Sequence, residues 1–316
     1  MRTIAPLHPE AKRILEIVAE LEKGIVPPVP VPEMRAIAKR RNQRLAAEPA
    51  PVGRVENSAV AMGGLEVPIR VYWPDATPGQ ARPVYVHAHG GGFVVGDLDM
   101  ADPVCRSICR GANTMVISVD YRLAPEHKFP AGLDDMIATI RWVARNGADI
   151  GIDTSRIAVG GDSAGGNLAA AAAQALAGEL GPALRYQVLV YPVTDLTCSQ
   201  PSYKDLGTGY PLTEARMLAY RDLYLGDASQ AIDARASPLL AASVADQPPA
   251  LVILAGLDPL VDEGRAYAQR LSAAGVATEI SEAPGHPHGF LGWTGESDAS
   301  RSMLDLISAR LGKYLA

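Results

Sequence analysis

The sequence predicts an α/β protein: one eight-stranded, mostly parallel sheet with helices on both faces. Three observations carry this. Apolar runs of strand length alternate with helical stretches over most of the 316 residues. Two runs near the start, 54–61 and 65–73, are separated by Gly63-Gly64, a hairpin signal that gives the sheet an antiparallel beginning. Further on, the run Arg156–Val159 ends in Gly161-Asp162-Ser163-Ala164-Gly165 and opens onto an alanine-rich segment, a strand, a sharp turn and a helix. With 48% apolar residues the chain can bury one large core.

In chain order, Pro9–Lys23 carries a helical stripe of Ile14, Leu15, Val18 and Leu21. A proline-rich link follows, then a helix over about 33–47 with Arg35, Lys39, Arg40, Arg41 and Arg44 on one face. That face reads as solvated rather than membrane-bound, because the opposite face is only weakly apolar. Strand 65–73 alternates cleanly through Leu65, Val67, Ile69 and Val71. Strands at 83–89 and 114–120 enclose His89-Gly90-Gly91-Gly92-Phe93 and a helix to about residue 111. Cys105 and Cys109, four apart on that helix, read as two small buried residues. A helix over 130–146 turns Ile137, Ile140, Trp142 and Val143 inward. After the Ser163 unit comes a strand at 185–191. Residues 197–236 then break the rhythm with a helical piece at 213–225, and strand 250–256, helix 262–274, strand 276–282 and helix 297–315 restore it. Two segments stand outside the alternation, 1–46 and about 197–230. They are expected to form a helical cap over the carboxyl edge of the sheet, with 47–316 as the catalytic domain.

Composition narrows the function. A net charge of −6 without a basic block argues against nucleic-acid binding. Three cysteines without regular spacing argue against a disulfide framework and suit a reducing compartment. Charges at Arg2, Glu10, Lys12, Arg13 and Glu16 leave no room for a signal peptide, and the longest apolar run, Ala169–Ala177, is too short to span a bilayer. A cytoplasmic protein with no membrane insertion is the expectation.

Gly161 and Gly165 flank Ser163 at two residues on either side, where a Cβ would clash in a tight strand-to-helix turn. Such a turn holds a serine hydroxyl exposed above the sheet. A hydroxyl needs a base, an orienting acid and donors for the oxyanion before it is a useful nucleophile. Gly91 and Gly92 after a strand, with Ala164 behind the serine, offer backbone N–H donors. Asp258 closes the strand at 250–256. Its neighbours Asp262 and Glu263 are rivals, but they fall where helix capping explains them more simply. Among six histidines, His286 and His288 lie just past the last strand; His288 is preferred because Gly289 permits a sharp turn there. His87 and His89 alternate on a strand like a metal pair, but no third ligand stands at a suitable spacing. The order Ser163, Asp258, His288 differs from that of both serine protease types.

These pieces, with Asp120-Tyr121-Arg122-Leu123-Ala124-Pro125-Glu126, Phe129-Pro130-Ala131 and His288-Gly289-Phe290, resemble the hormone-sensitive lipase family of esterases, in its Gly-Asp-Ser-Ala-Gly-Gly branch. The resemblance covers about residues 54–315 and implies an α/β-hydrolase fold with a cap. It implies Ser163 as nucleophile, Asp258 as triad acid, His288 as base, and Gly91, Gly92 and Ala164 as the oxyanion hole, with His89 bracing the loop. It also implies hydrolysis of short- to medium-chain acyl esters without metal or organic cofactor, and homodimers through the last strand, 276–282. The same constellation serves deacetylation, lactone opening and amide cleavage. A small-ligand receptor on the same fold is the alternative of a different class, disfavoured because all three triad residues are present. Separately, the chain has only three phenylalanines, and two of them, Phe93 and Phe290, adjoin the oxyanion loop and the base; both are expected to line a substrate pocket.

Overall fold

The computed structural model describes residues 4–75 and 80–316, so Arg2 of the charged amino-terminus lies outside the described residues. Two helices come first, α1 (Pro9–Leu21) and α2 (Val31–Leu45), each entered through a proline in its first turn, where a missing N–H costs nothing. The hairpin follows as β1 (Arg54–Met62) and β2 (Leu65–Trp73), with Gly63 and Gly64 both at positive φ, the left-handed backbone a two-residue turn requires. The rest alternates: β3 (Arg82–Ala88), α3 (Leu98–Ala112), β4 (Met115–Val119), α4 (Ala131–Asn146), β5 (Ile152–Asp162), α5 (Ala164–Leu180) and β6 (Leu184–Val190). Two helices, α6 (Ser202–Asp205) and α7 (Glu214–Tyr224), interrupt the pattern before β7 (Ala250–Leu257), α8 (Val261–Ala273), β8 (Thr278–Pro287) and α9 (Asp298–Tyr314).

The eight strands form one sheet in the order β1-β2-β4-β3-β5-β6-β7-β8. β2 is antiparallel to β1 and β4, and every later pairing is parallel. The chain passes from β3 to β4 on one side, then crosses to β5 on the other. This reversal opens a crevice at the carboxyl ends of β3 and β5, where sheets of this kind bind ligands. The interior strands β3, β4, β6 and β7 are buried along nearly their whole length, as parallel strands covered on both faces must be. One core cluster holds Ile140, Leu168 and Leu271 from α4, α5 and α8; a second holds Ile108 and Ile307 from α3 and α9. Alanines 169–173 of α5 are all buried, and their small size brings that helix close to the sheet.

Two expectations need correction. The last strand does not stop at Glu282. It continues to Pro287, because Leu257 still pairs with Pro287 after a register shift that absorbs Pro284–His286. Prolines are tolerated there because β8 is an edge of the sheet. The basic face of α2 is not simply solvated. Arg35 donates to the carbonyls of Val94 (2.9 Å) and Ala124 (3.2 Å) and to both carboxylate oxygens of Glu126. Arg44 pairs with Glu296, and only Lys39 and Arg40 read as expected. Cys105 and Cys109 are buried and unbridged, and burial pushes both thiols up, Cys109 to about 12. Among the described residues, no helix is long and apolar enough to cross a membrane.

Candidate active site

β5 delivers Ser163 into a turn at φ 57° and ψ −117°, a sparsely populated conformation for any side-chain-bearing residue. The turn is pinned from both sides: the Ser163 N–H donates to the Val190 carbonyl at 2.8 Å, and the Val193 N–H donates to the Ser163 carbonyl at 3.2 Å. A Cβ at Gly161 or Gly165 would overlap the Ala88 carbonyl oxygen of β3, so the spacing of the two glycines reflects contact between β3 and the turn as well as within it. Ala164 begins α5, and its N–H therefore has no acceptor within the helix.

Asp258 follows β7 and is fully buried. Its Oδ1 accepts the Leu260 N–H at 2.9 Å, which leaves Oδ2 facing His288 Nδ1 at 2.7 Å. The opposite ring nitrogen, Nε2, lies 2.8 Å from Ser163 Oγ. A carboxylate only accepts hydrogen bonds, so Nδ1 carries the ring proton and Nε2 is left to accept from the serine hydroxyl. Gly289, at φ 85°, makes the turn after the imidazole, and the Tyr191 ring backs it at a centroid distance of 4.6 Å.

The rival acids have other work. Asp262 accepts the Ser202 N–H at 2.9 Å. Glu263 is fully buried, accepting the N–H groups of Thr194 (2.7 Å) and Asp195 (3.2 Å) and the Tyr203 hydroxyl (2.9 Å); burial holds its pKa well above the usual carboxylate range. His286 points toward α1 rather than Ser163, with its ring stacked on His8, and His127 is exposed.

The glycine loop leaves β3 above the serine. Gly91 (φ 129°) and Gly92 (φ 59°) adopt backbone that side chains avoid; a Cβ would strike the Val95 carbonyl at the first and the Tyr220 ring at the second. The loop is held at several points. Gly90 N–H donates to Asp162 Oδ1 at 3.0 Å, and the N–H groups of Val94 and Val95 donate to the Gly91 carbonyl. The Tyr121 hydroxyl donates to the His89 carbonyl at 2.8 Å, while its ring stacks on the His89 imidazole at 4.4 Å. The His89 side chain is thereby held against the loop that it begins. Asp162 and Tyr121 were not singled out from the sequence, although both lie inside motifs that carried the resemblance.

One cavity joins these parts. Gly91, Gly92, Ser163 and His288 line its floor; Val18 and Leu45 from residues 1–46 and Leu212, Met217 and Tyr220 from residues 197–230 line its walls. Glu22 lies 3.3 Å from Arg41 and 3.6 Å from Arg216, both of which line the cavity, and so joins the two segments. Phe93 and Phe290 correct an expectation, since neither lines the cavity. Phe93 is buried face to face with Tyr224, with ring centroids 3.7 Å apart and planes 6° from parallel, and Phe290 is buried against Tyr191 and His286.

A family model described as the alpha/beta hydrolase fold matches residues 85–292, which span the glycine loop, Ser163, Asp258 and His288. The chain belongs to that family. Its similarity to an esterase of Mycobacterium tuberculosis, LipI, is 42% identity over 264 residues, covering 81% of both chains. An arylesterase of Saccharolobus solfataricus is 34% identical over 309 residues, covering 97% of this chain and 98% of that one. Among solved structures, a hyperthermophilic esterase from Pyrobaculum calidifontis superimposes with a TM-score of 0.90 at 35% identity, covering 98% of this chain and 99% of that one. The likeness to the hormone-sensitive lipase group, read from motifs, and the eight-stranded α/β-hydrolase architecture both stand.

Proposed function

We propose that this α/β-hydrolase is a carboxylesterase acting on short- to medium-chain acyl esters through Ser163, His288 and Asp258. The observation that carries the reading is the continuous contact from Asp258 Oδ2 through His288 to Ser163 Oγ, at 2.7 and 2.8 Å. The esterase names of the relatives support the bond class, and the apolar side chains Val18, Leu45, Leu212 and Met217 lining the cavity support a small acyl group.

In this reading Ser163 Oγ attacks the ester carbonyl carbon while His288 Nε2 takes its proton. Asp258 fixes the ring tautomer and stabilises the imidazolium. The carbonyl oxygen becomes an oxyanion and is met by the N–H groups of Gly91, Gly92 and Ala164, each such donor typically worth about 3–4 kcal/mol of barrier. His288 then protonates the leaving alkoxy oxygen and the C–O bond breaks, leaving an acyl-serine. Water enters by the same route, His288 taking one of its protons, and the acid is released with Ser163 regenerated. Named groups of the chain handle every proton, so the scheme calls on no cofactor.

Residues 1–46 and 197–230 act as a cap over a catalytic domain of residues 47–316, a division supported by the walls they supply to the cavity. Three unbridged cysteines favour the cytoplasm. Edge strand β8, with Ile280 41% exposed, is the proposed seam of a homodimer; a monomeric mass in light scattering at micromolar concentration counts against it.

A series of p-nitrophenyl esters tests the activity. Turnover is expected to peak at short or medium acyl chains and to fall about 10⁴-fold in Asp258→Asn, whose amide favours the wrong tautomer. Peak turnover on very long chains, or an unaffected Asp258→Asn, contradicts the reading.

A further inference from the structure

On the far side of the loop that carries His288, three side chains with metal-ligating atoms converge. His8 caps α1, its Nδ1 accepting the Glu10 N–H at 3.3 Å. His286 stands near the end of β8, and its ring stacks on that of His8 with centroids 4.8 Å apart. One ligand atom from each of His8, Glu10 and His286 lies within 4.8 Å of the others, the single such group of His, Cys, Asp or Glu among the described residues.

Two features set this cluster apart from ordinary packing. His286 is only 6% exposed, yet neither ring nitrogen has a hydrogen-bond partner. Nε2 lies 3.4 Å from Glu10 Oε1, longer than an ordinary hydrogen bond. Buried polar groups are nearly always satisfied, and a cation held between the His286 ring and the Glu10 carboxylate would satisfy both. The ligand atoms are also held. Glu10 accepts the Asp298 N–H at 2.8 Å, the Ala299 N–H at 3.4 Å and the Ser297 hydroxyl, all at the start of α9. His8 N–H donates to the Gly285 carbonyl at 3.0 Å, and a Cβ at Gly285 would press on Pro6 and His8, so only glycine admits this approach. Outer contacts of this kind orient the ligands of bound metals.

We propose that His8, Glu10 and His286 bind a divalent transition-metal ion of the zinc class, with water completing the coordination on the exposed side of His8. Two imidazoles and one carboxylate suit Zn²⁺, Co²⁺ or Ni²⁺ and do not suit Mg²⁺ or Ca²⁺, which take oxygen ligands. Bond lengths of about 2.0–2.1 Å put tetrahedral ligands roughly 3.4 Å apart, so binding draws the exposed His8 ring inward. The ion would tie together the start of α1, the end of β8 and the start of α9. Its role is structural and independent of the hydrolytic scheme.

The test is uptake of Zn²⁺ by the full chain after stripping with a chelator, measured by equilibrium dialysis and by the shift in Tm. The expected result is one ion per chain at micromolar Zn²⁺ or below, with a rise in Tm reversed by chelator and not produced by Mg²⁺. Affinity should fall at least tenfold in His8→Ala, an exposed position, and in His286→Asn, and Co²⁺ should give visible d–d absorption that His8→Ala abolishes. No uptake at micromolar Zn²⁺ overturns the proposal. So does uptake unchanged in His8→Ala, which would put the ion elsewhere, for example on His288.

Discussion

Asp162 accepts the Gly90 N–H at 3.0 Å, so the carboxylate beside Ser163 in sequence anchors the start of the glycine loop in space. Burial raises the pKa of this carboxyl, and a Cβ at Gly90 would run into it, so the two residues are fitted to each other. The contact couples the two halves of the proposed site, the serine turn on β5 and the oxyanion loop after β3. Asp162→Ala leaves the Gly90 N–H without its acceptor and frees the loop. The expected loss in kcat is about 10- to 100-fold. Asp162→Asn retains an acceptor oxygen and should keep most of the activity. Comparing the two variants on p-nitrophenyl acetate checks this; equal losses would contradict a positioning role.

Acyl-chain preference should follow the cap, not the phenylalanines. Phe93 is sealed against Tyr224, so Phe93→Ala is expected to destabilise the protein by about 3–5 kcal/mol while leaving chain-length preference alone. Met217→Ala enlarges the cavity wall and should shift the preference toward longer acyl groups. Tm and an ester series on both variants separate stability from specificity. A changed preference in Phe93→Ala at unchanged Tm would reverse the assignment.

His87 makes the fold sensitive to acid. It is buried beneath the cavity, with Tyr85 Oη 3.4 Å from Nδ1 and Asp162 3.9 Å from Nε2. Burial, reinforced by nearby His89, lowers its pKa from near 6.5 to about 3. Above 6.5 the ring is neutral whether the chain is folded or not, and its contribution to stability is complete. As pH falls from 6.5 toward 3, the unfolded chain takes up a proton that the folded chain refuses, and stability drops by roughly 1.4 kcal/mol per pH unit from this group alone. Denaturant midpoints at two pH values inside that window should converge for His87→Gln and diverge for the unmodified protein. Equal slopes in the two proteins would contradict the account.

Much of this was legible in the sequence because local chemistry demanded it. The Gly161–Gly165 turn, the Gly63-Gly64 hairpin and the alternation in β2 each need particular residues at particular offsets, whatever surrounds them. The extension of β8 to Pro287 was not legible, since prolines and a glycine read as a loop until a neighbouring strand pairs with them across a register shift. The docked arginines of α2 were equally hidden. A basic stripe looks the same whether it meets water or, as Arg35 does, a carboxylate and two carbonyls brought from 59 to 91 residues away. The phenylalanines misled for a related reason: nearness in sequence to Gly92 or His288 does not say which way a ring turns, and Tyr224, far along the chain, decided it for Phe93.

The central claim is that Ser163 is a nucleophile activated by His288. A fluorophosphonate probe followed by peptide mass mapping tests it most directly. The account predicts one adduct per chain, on Ser163, forming at least a thousandfold more slowly in His288→Ala. Labelling of another residue, no labelling of a folded and ligand-accessible protein, or an undiminished rate in His288→Ala would contradict it.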